Sequence, residues 1–445
     1  MPTTEEAPSG ESVTVDEAFA RAQELHRSGS VTEARVLYER ILEVLPEHVS
    51  ALHFMGVAEF QLGRSDDAIR LIETALQLDP GYTDAHNNLG NIHKKRGELE
   101  RARSRYELAL AQRPDSPEVL NNLGTILRAE QRLPEALASF EKTLELAPDH
   151  VDAHHNHGNV LLALQRPEEA LAAFQKALML RPYDRNSYRH LGAAFYATGR
   201  HEDAAEVYRR WAELQPEDEE AVHMVAASTG KDVPARTSNA AVKMVFDQFA
   251  QSFDAVLERL DYRAPELVAE TLAMVLGAPA ANAVILDAGC GTGLGGPLLK
   301  PFAERLVGVD ISERMLELAV ARGVYDEFFV ADLPAHLERH PAAYDVVASI
   351  DTLVYFGDLA PVVRGLVNAL RPSGHVVFTV ERAEEGTAPD GFRLNPHGRY
   401  SHAQTYIKNL LEGAGFTVAP FREVVLRKEA GKPANGYVVT ASVAS

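Results

Sequence analysis

The 445 residues are 46% hydrophobic and 24% charged, globular proportions in a chain long enough for two or three domains, so disorder is not the default reading. With 44 Lys and Arg against 64 Asp and Glu the net charge is -20, and acid exceeds base on both sides of Pro234. That field repels phosphate backbones and anionic lipid, which counts against nucleic acid and membrane and leaves a basic, neutral or peptide partner.

From the N-terminus, Met1 to Ser12 is polar and acidic, without the apolar core of a leader, and residues 1–12 are expected to be disordered. Cys290 is the only cysteine, which rules out an intrachain disulfide, and no later run approaches the roughly 20 apolar residues that a membrane span needs. A reducing, cytoplasmic setting is the expectation.

Prolines then recur every 34 residues, at Pro46, Pro80, Pro114, Pro148, Pro182 and Pro216, each with an alanine twelve residues earlier, from Ala34 to Ala204. Five units also carry Gly56, Gly90, Gly124, Gly158 or Gly192, and large residues recur at Tyr38, Ile72, Tyr106, Phe140, Phe174 and Tyr208. This pattern resembles the tetratricopeptide repeat, a helix pair that buries its apolar face only by stacking on neighbours. Residues 13–230 are therefore expected to form an all-α solenoid of six repeats, with a capping helix after Pro216 that has acids at its start.

The first helices of several repeats carry Asn88, Asn91, Asn122, Asn156 and Asn159. Asparagine is a poor helix former, so its recurrence asks for a reason. One reading is an amide ladder that binds an extended peptide on the concave wall; the other is contact between repeats. His154, His155 and His157 have no acid or thiol spaced to complete a metal site, and no metal is expected.

The period breaks at Gly230 to Asn239, and 231–239 is expected to link the two domains. Next come Ala240 to Leu260, with an apolar stripe through Phe246, Phe249 and Phe253, and a second helix from Pro265 to Leu276; residues 240–277 would form a lid. Strands are expected at 284–287, 306–310, 328–331, 345–350 and 375–380, alternating with helices as in a doubly wound, Rossmann-like parallel sheet. The last segments, 416–426 and 436–443, would close it as an antiparallel hairpin.

Gly289, Gly291 and Gly293 follow the first strand, where such sheets bind ligands. The register of Gly291, Gly293 and Gly296 also fits a dinucleotide fingerprint. However, a carboxylate at Asp287 opposes a pyrophosphate and attracts an ammonium. With Asp310 placed for ribose hydroxyls and Asp332 for an adenine amine, the set describes S-adenosylmethionine better than a nicotinamide dinucleotide.

The segments VILDAGCGTGLGG, LVGVDIS, FFVADL, YDVVASIDTLVYFGDL and LRPSGHVVFTVE resemble the motifs of class I S-adenosylmethionine-dependent methyltransferases, across residues 240–445. FDQFAQSFDAVLERLDYRAPELV and RYSHAQTYIKNLLEGAGF are similar to bacterial tetratricopeptide-containing methyltransferases and to the Williams-Beuren region group. The resemblance implies that Gly289, Gly291 and Gly293 face the methionyl part, Asp310 the ribose, and Asp332 and Leu333 the adenine, with Asp287, Cys290, Ile311 and Met315 also in the cofactor site, Cys290 in a structural role, and Tyr262 or Arg263 reaching the carboxylate. Asp351 and Tyr355 after the fourth strand, and His402, are the catalytic candidates; Arg399 and Tyr400 are acceptor-pocket candidates, and His402 could instead cap the following helix. Asp351-Thr-Leu-Val-Tyr355 departs from the Asn/Asp-Pro-Pro-Tyr/Phe of base and amide methyltransferases, which counts against those substrates.

The expectation is thus a methyltransferase whose solenoid docks a peptide or protein acceptor. Two rivals remain: a small-molecule or carrier-bound O-methyltransferase whose repeats serve assembly, and a scaffold that binds the cofactor without turnover.

Overall fold

The computed structural model describes residues 14–429 and 432–443, so the expected disorder at 1–12 lies outside the described residues. The chain divides into two compact units, Met1–His190 and Leu191–Ser445.

The first unit is a run of antiparallel helix pairs, from Val15–Arg27 with Val31–Val44 to Val151–Ala163 with Pro167–Leu180. The repeating residues explain the stacking. A Cβ on Gly90, Gly124 or Gly158 would come within 2.5–2.6 Å of the ring of Tyr106, Phe140 or Phe174, the large residue of the same repeat. Those rings are wholly buried. Glycine is thus required because an aromatic ring occupies the space a side chain would need. Turns between paired helices use left-handed residues at Gly29, Gly63 and Gly97, and the same position is filled by Gln131 (φ 62°) and Gln165 (φ 59°) further along.

The second unit contains the repeat helix His201–Leu214 and the helix Glu219–Thr229, followed by the sheet domain. Asp218 caps Glu219–Thr229 by accepting from the backbone of Glu220 and Ala221, and Gly230 ends it at φ 67°. Its apolar side packs with Leu394 and Tyr400, and His223 Nε2 donates to the Gly398 carbonyl at 2.8 Å. The boundary between the units therefore falls within the helix Arg185–Ala197, while the change of sequence pattern falls later, at 231–239.

The sheet strands are β1 Ala283–Ala288, β2 Ala303–Asp310, β3 Glu327–Val330, β4 Tyr344–Ser349, β5 Leu370–Arg382, β6 Phe392–Leu394, β7 Tyr400–His402, β8 Phe416–Val418, β9 Arg422–Glu429 and β10 Lys432–Val443. Their order is β3-β2-β1-β4-β5-β10-β8, with β9 on β10, β7 on β5 and β6 on β7. The first five strands are parallel, and β10 runs antiparallel to β5. Apolar strands buried on both faces, such as β1, are what a sheet covered by helices on each side demands. The order reverses at β1 and β4, so a crevice opens between their carboxyl ends, where ligands of such folds bind. The short β6 and β7 were not expected, because three-residue strands carry no readable alternation.

The expected single helix 240–260 is interrupted: Asn239–Phe249 and Phe253–Arg259 flank a tighter turn at Ala250–Ser252, and Ala264–Leu276 follows.

Candidate functional site

The carboxyl ends of β1, β2 and β4 and the lid helices enclose a cavity of about 350 Å³. Its floor begins at the turn after β1. Gly289 has φ 80°, and a Cβ there would collide with Thr352 Oγ1, so no other residue fits. The turn is tied to β2 by Gly289 N and Cys290 N, which both donate to the Val309 carbonyl, and Gly291 N donates to Asp310 Oδ2 at 2.9 Å. Asp310 Oδ1 accepts from Ser312 N at 2.9 Å. Each oxygen keeps a further lone pair for a ligand hydroxyl.

Asp287 lies below the turn. It is 1% exposed; its Oδ2 accepts from the Tyr325 hydroxyl at 2.7 Å and its Oδ1 is buried with no partner. Burial raises its pKa to about 7. A buried carboxylate with one unsatisfied oxygen fits a cationic ligand group, which would supply the missing donor. Cys290 is buried, and burial pushes its thiol well above the ordinary range, which disfavours the thiolate.

Asp332 and Leu333 border the same cavity, as does Ile311. Asp332 Oδ1 accepts from Arg236 Nη2 at 2.8 Å, an arginine of the 231–239 segment that sequence reasoning left unassigned. The lid is fastened on this side: Thr292 Oγ1 donates to Asp254 Oδ1 at 2.5 Å and Ser312 Oγ to Asp247 Oδ1 at 2.6 Å. Phe246, Phe249 and Phe253 face the cavity. The rings of Phe246 and Tyr355 meet edge to face at 5.5 Å.

At the other end, Asp351 follows β4 with φ 56°, an unusual conformation for a residue with a side chain. Its N donates to Thr379 Oγ1 at 2.8 Å and its Oδ2 accepts from Arg427 Nη1 at 2.6 Å, while Oδ1 is buried without a partner. Burial raises its pKa despite Arg427. Arg427, 3% exposed, also binds Glu381 and Glu429, and Arg399 Nε donates to Glu381 Oε1 at 3.0 Å. Tyr262, Tyr355, Arg399 and Arg427 line this end of the cavity. Tyr325, Arg427 and Glu429 were missed because nothing local in the sequence marks them: each reaches its partner only through the sheet.

Several expected site residues lie elsewhere. His402 is fully buried behind the cavity, where Nε2 donates to the Phe356 carbonyl at 2.9 Å, and burial lowers its pKa to about 4. It does not cap the following helix either, whose N-cap is Ala403. Tyr400 is wholly buried with its hydroxyl donating to the Pro234 carbonyl, since β7 turns it away from the cavity. Arg263 is more than half exposed and faces Glu270, 3.8 Å away, while the adjacent Tyr262 lines the cavity. Met315 is fully buried in the helix Glu313–Ala321 and packs under the site without lining it.

The asparagines are largely engaged with the repeats themselves. Asn122 donates to Asn87 Oδ1 at 3.1 Å, Asn156 to Asn121 Oδ1 at 3.0 Å and Asn88 to His53 Nε2 at 2.8 Å, each spanning 35 residues, one repeat and one position. Asn91 Oδ1 accepts from the Tyr106 hydroxyl at 2.8 Å, and Asn159 is half-buried. Among the described residues no group of three or more His, Cys, Asp or Glu is arranged to hold a metal ion, and no helix is long and apolar enough to cross a membrane.

Residues 286–378, from β1 into β5, match the methyltransferase domain family, and residues 19–83, 59–123, 115–182 and 155–219 match tetratricopeptide repeat families. The ubiquinone biosynthesis O-methyltransferases of Yersinia pestis (strain Pestoides F) and Yersinia pseudotuberculosis serotype O:1b (strain IP 31758) are 31% identical over 99 residues, 21% of this chain and 41% of theirs. The chain thus spans about two fifths of the length of these curated relatives. Among solved structures, TTC0263, a thermophilic tetratricopeptide protein of Thermus thermophilus, is 23% identical with a TM-score of 0.36, covering 41% of this chain and 100% of that one. YrrB, described as a tetratricopeptide protein with an unusual peptide-binding site, is 20% identical with a TM-score of 0.36, covering 42% and 96%. The chain therefore carries tetratricopeptide repeats and a methyltransferase domain; the Williams-Beuren subgroup finds no support among these matches.

Proposed function

We propose that the protein is an S-adenosylmethionine-dependent methyltransferase whose acceptor is presented by a peptide or protein docked on the repeats. The observation that carries the donor reading is the unsatisfied Asp287 Oδ1 beneath the glycine turn, with Asp310 and Asp332 further along the same wall. These residues fit the donor: Asp287 would receive its ammonium, Asp310 its ribose hydroxyls, and Asp332 with Leu333 its adenine. When bound, S-adenosylmethionine supplies a methyl group on a positively charged sulfur, a group that needs little activation.

The chain's own work is then alignment and exclusion of water. Phe246, Phe249 and Phe253 close the cavity from the lid, and Asp254 and Asp247 hold that lid to the donor side. Arg427 anchors Asp351 through Oδ2, which leaves Oδ1 to take a proton from the acceptor. Its raised pKa makes it a stronger base than an exposed carboxylate. Tyr355 and Tyr262 stay protonated, held well above neutrality by burial, and can orient the acceptor as donors.

The similarity to O-methyltransferases and the mutual bonding of Asn122 with Asn87 and Asn156 with Asn121 favour a second reading, a small hydroxyl acceptor with repeats used for assembly. The test incubates full-length protein with methyl-labelled S-adenosylmethionine and cell lysate, then separates products by size. Label in macromolecules is expected; label confined to small molecules supports the second reading, and no transfer despite donor binding counts against both. Asp351→Asn is expected to cut turnover about 100-fold or more while leaving donor affinity within about twofold.

A further inference from the structure

The segment joining the helix Glu219–Thr229 to the lid is bonded along its length. The Pro234 carbonyl accepts from the Tyr400 hydroxyl at 2.7 Å, and the Ala235 carbonyl accepts from Gly357 N and Asp358 N, both at 2.8 Å. Thr237 N donates to the Tyr355 carbonyl at 2.9 Å, and Arg236 pairs with Phe356 as a single antiparallel bridge. This strap holds the Arg236 guanidinium over the Phe356 ring, 4.4 Å from its centroid, with Nη2 on Asp332 Oδ1 at 2.8 Å; Nη2 also reaches Asn239 and Nε the Thr237 carbonyl. Arg236 lines the cavity beside Asp332 and Leu333.

Two physical consequences follow. A planar cation stacked on an aromatic ring and paired with a carboxylate has little freedom left. It also fixes one oxygen of Asp332, so that the other has a set direction for a ligand donor.

We propose that Arg236 is a positioning residue of the donor site: it holds Asp332 through Oδ1 so that Oδ2 meets the exocyclic amine of the adenine, and the strap Pro234–Thr237 forms the wall of the base pocket. The inference rests on the S-adenosylmethionine reading above. It assigns to a segment that looks like an interdomain linker a share in donor recognition. Because Tyr400 bonds the strap and packs with Ala226 and Ala227, the helix Glu219–Thr229 is braced against the same wall.

The test uses the full-length chain, with calorimetric titration of S-adenosylhomocysteine and S-inosylhomocysteine into wild type, Arg236→Ala and Arg236→Lys, each checked by circular dichroism. The inosine analogue replaces the amine donor by an acceptor oxygen, so wild type should prefer the adenine compound. Arg236→Ala should weaken the adenine compound about tenfold and bring the two affinities together, with Arg236→Lys in between. Should Arg236→Ala fail to fold, Arg236→Gln, which keeps length and a donor, replaces it and is expected to narrow the preference likewise. An unchanged preference, or an equal loss for both compounds, overturns the proposal. Failure of wild type to bind either compound removes the donor reading itself, which separates the two failures.

Discussion

The two units use the same residue types for opposite ends. In the repeats Gly90, Gly124 and Gly158 sit in helices, needed only because a ring lies where a side chain would go. In the donor turn Gly289 is needed twice, for its positive φ and for the approach of Thr352. Polar groups divide in the same way. In the repeats Asn122 and Asn156 donate to Asn87 and Asn121, whereas the buried carboxylate oxygens without a partner among the described residues, Asp287 Oδ1 and Asp351 Oδ1, both belong to the cavity. A buried carboxylate oxygen left without a donor is costly, so these two are the ones a ligand group would satisfy.

That contrast breaks first at the glycines. Gly289→Ala should abolish measurable donor binding, a loss of more than about 100-fold, because backbone strain and a clash with Thr352 coincide. Gly124→Ala forces a Cβ to within 2.6 Å of Phe140; it should cost about 2–3 kcal/mol in chemical denaturation and leave the donor dissociation constant unchanged. If both variants behave alike, the distinction between packing glycines and site glycines fails.

A smaller effect is expected from protons. Asp287 has its pKa raised from 3.8 to about 7, so at low pH it is neutral and offers no charge to an ammonium. Donor affinity should therefore rise by roughly tenfold as pH increases from about 6 to 8, and Asp287→Asn should flatten that rise in calorimetric titrations. The same shift opposes stability in the empty protein: the buried acid favours folding below its unfolded pKa, and that contribution is lost as pH rises through about 7. Asp287→Asn should remove this term from the pH dependence of thermal melting.

The smallest effect lies in the repeat turns. Gln131 and Gln165 occupy the left-handed position that Gly29, Gly63, Gly97 and Gly199 fill elsewhere. Gln131→Gly and Gln165→Gly should each stabilise the protein by about 1 kcal/mol, read from the denaturation midpoint, without altering donor binding. A destabilisation would mean that these side chains make contacts outweighing the strain.

Much of the fold is legible because it is written at short range. The 34-residue period with its recurring glycines and large residues, and the five parallel strands, all follow from spacing and alternation, and Asp287, Gly289, Asp310 and Asp332 follow from their places at strand ends. Such signals survive in one dimension because helix turns and strand ends bring near neighbours together. The partners that hold the cavity's acids are different. Arg427 meets Asp351 across 76 residues, Arg236 meets Asp332 across 96, and Tyr325 meets Asp287 across 38.

By itself, then, the order of residues determined two architectures and the glycine turn after β1, since steric rules act locally and repeat. Only tertiary structure decided which neighbouring side chain faces the cavity, Tyr262 and not Arg263, and which acids keep an unsatisfied oxygen. It also decided that the stretch around Arg236 is hydrogen-bonded to residues 355–358 and brings Arg236 to the cavity. Burial and charge pairing are properties of three-dimensional surroundings, and no local pattern of residue types encodes them.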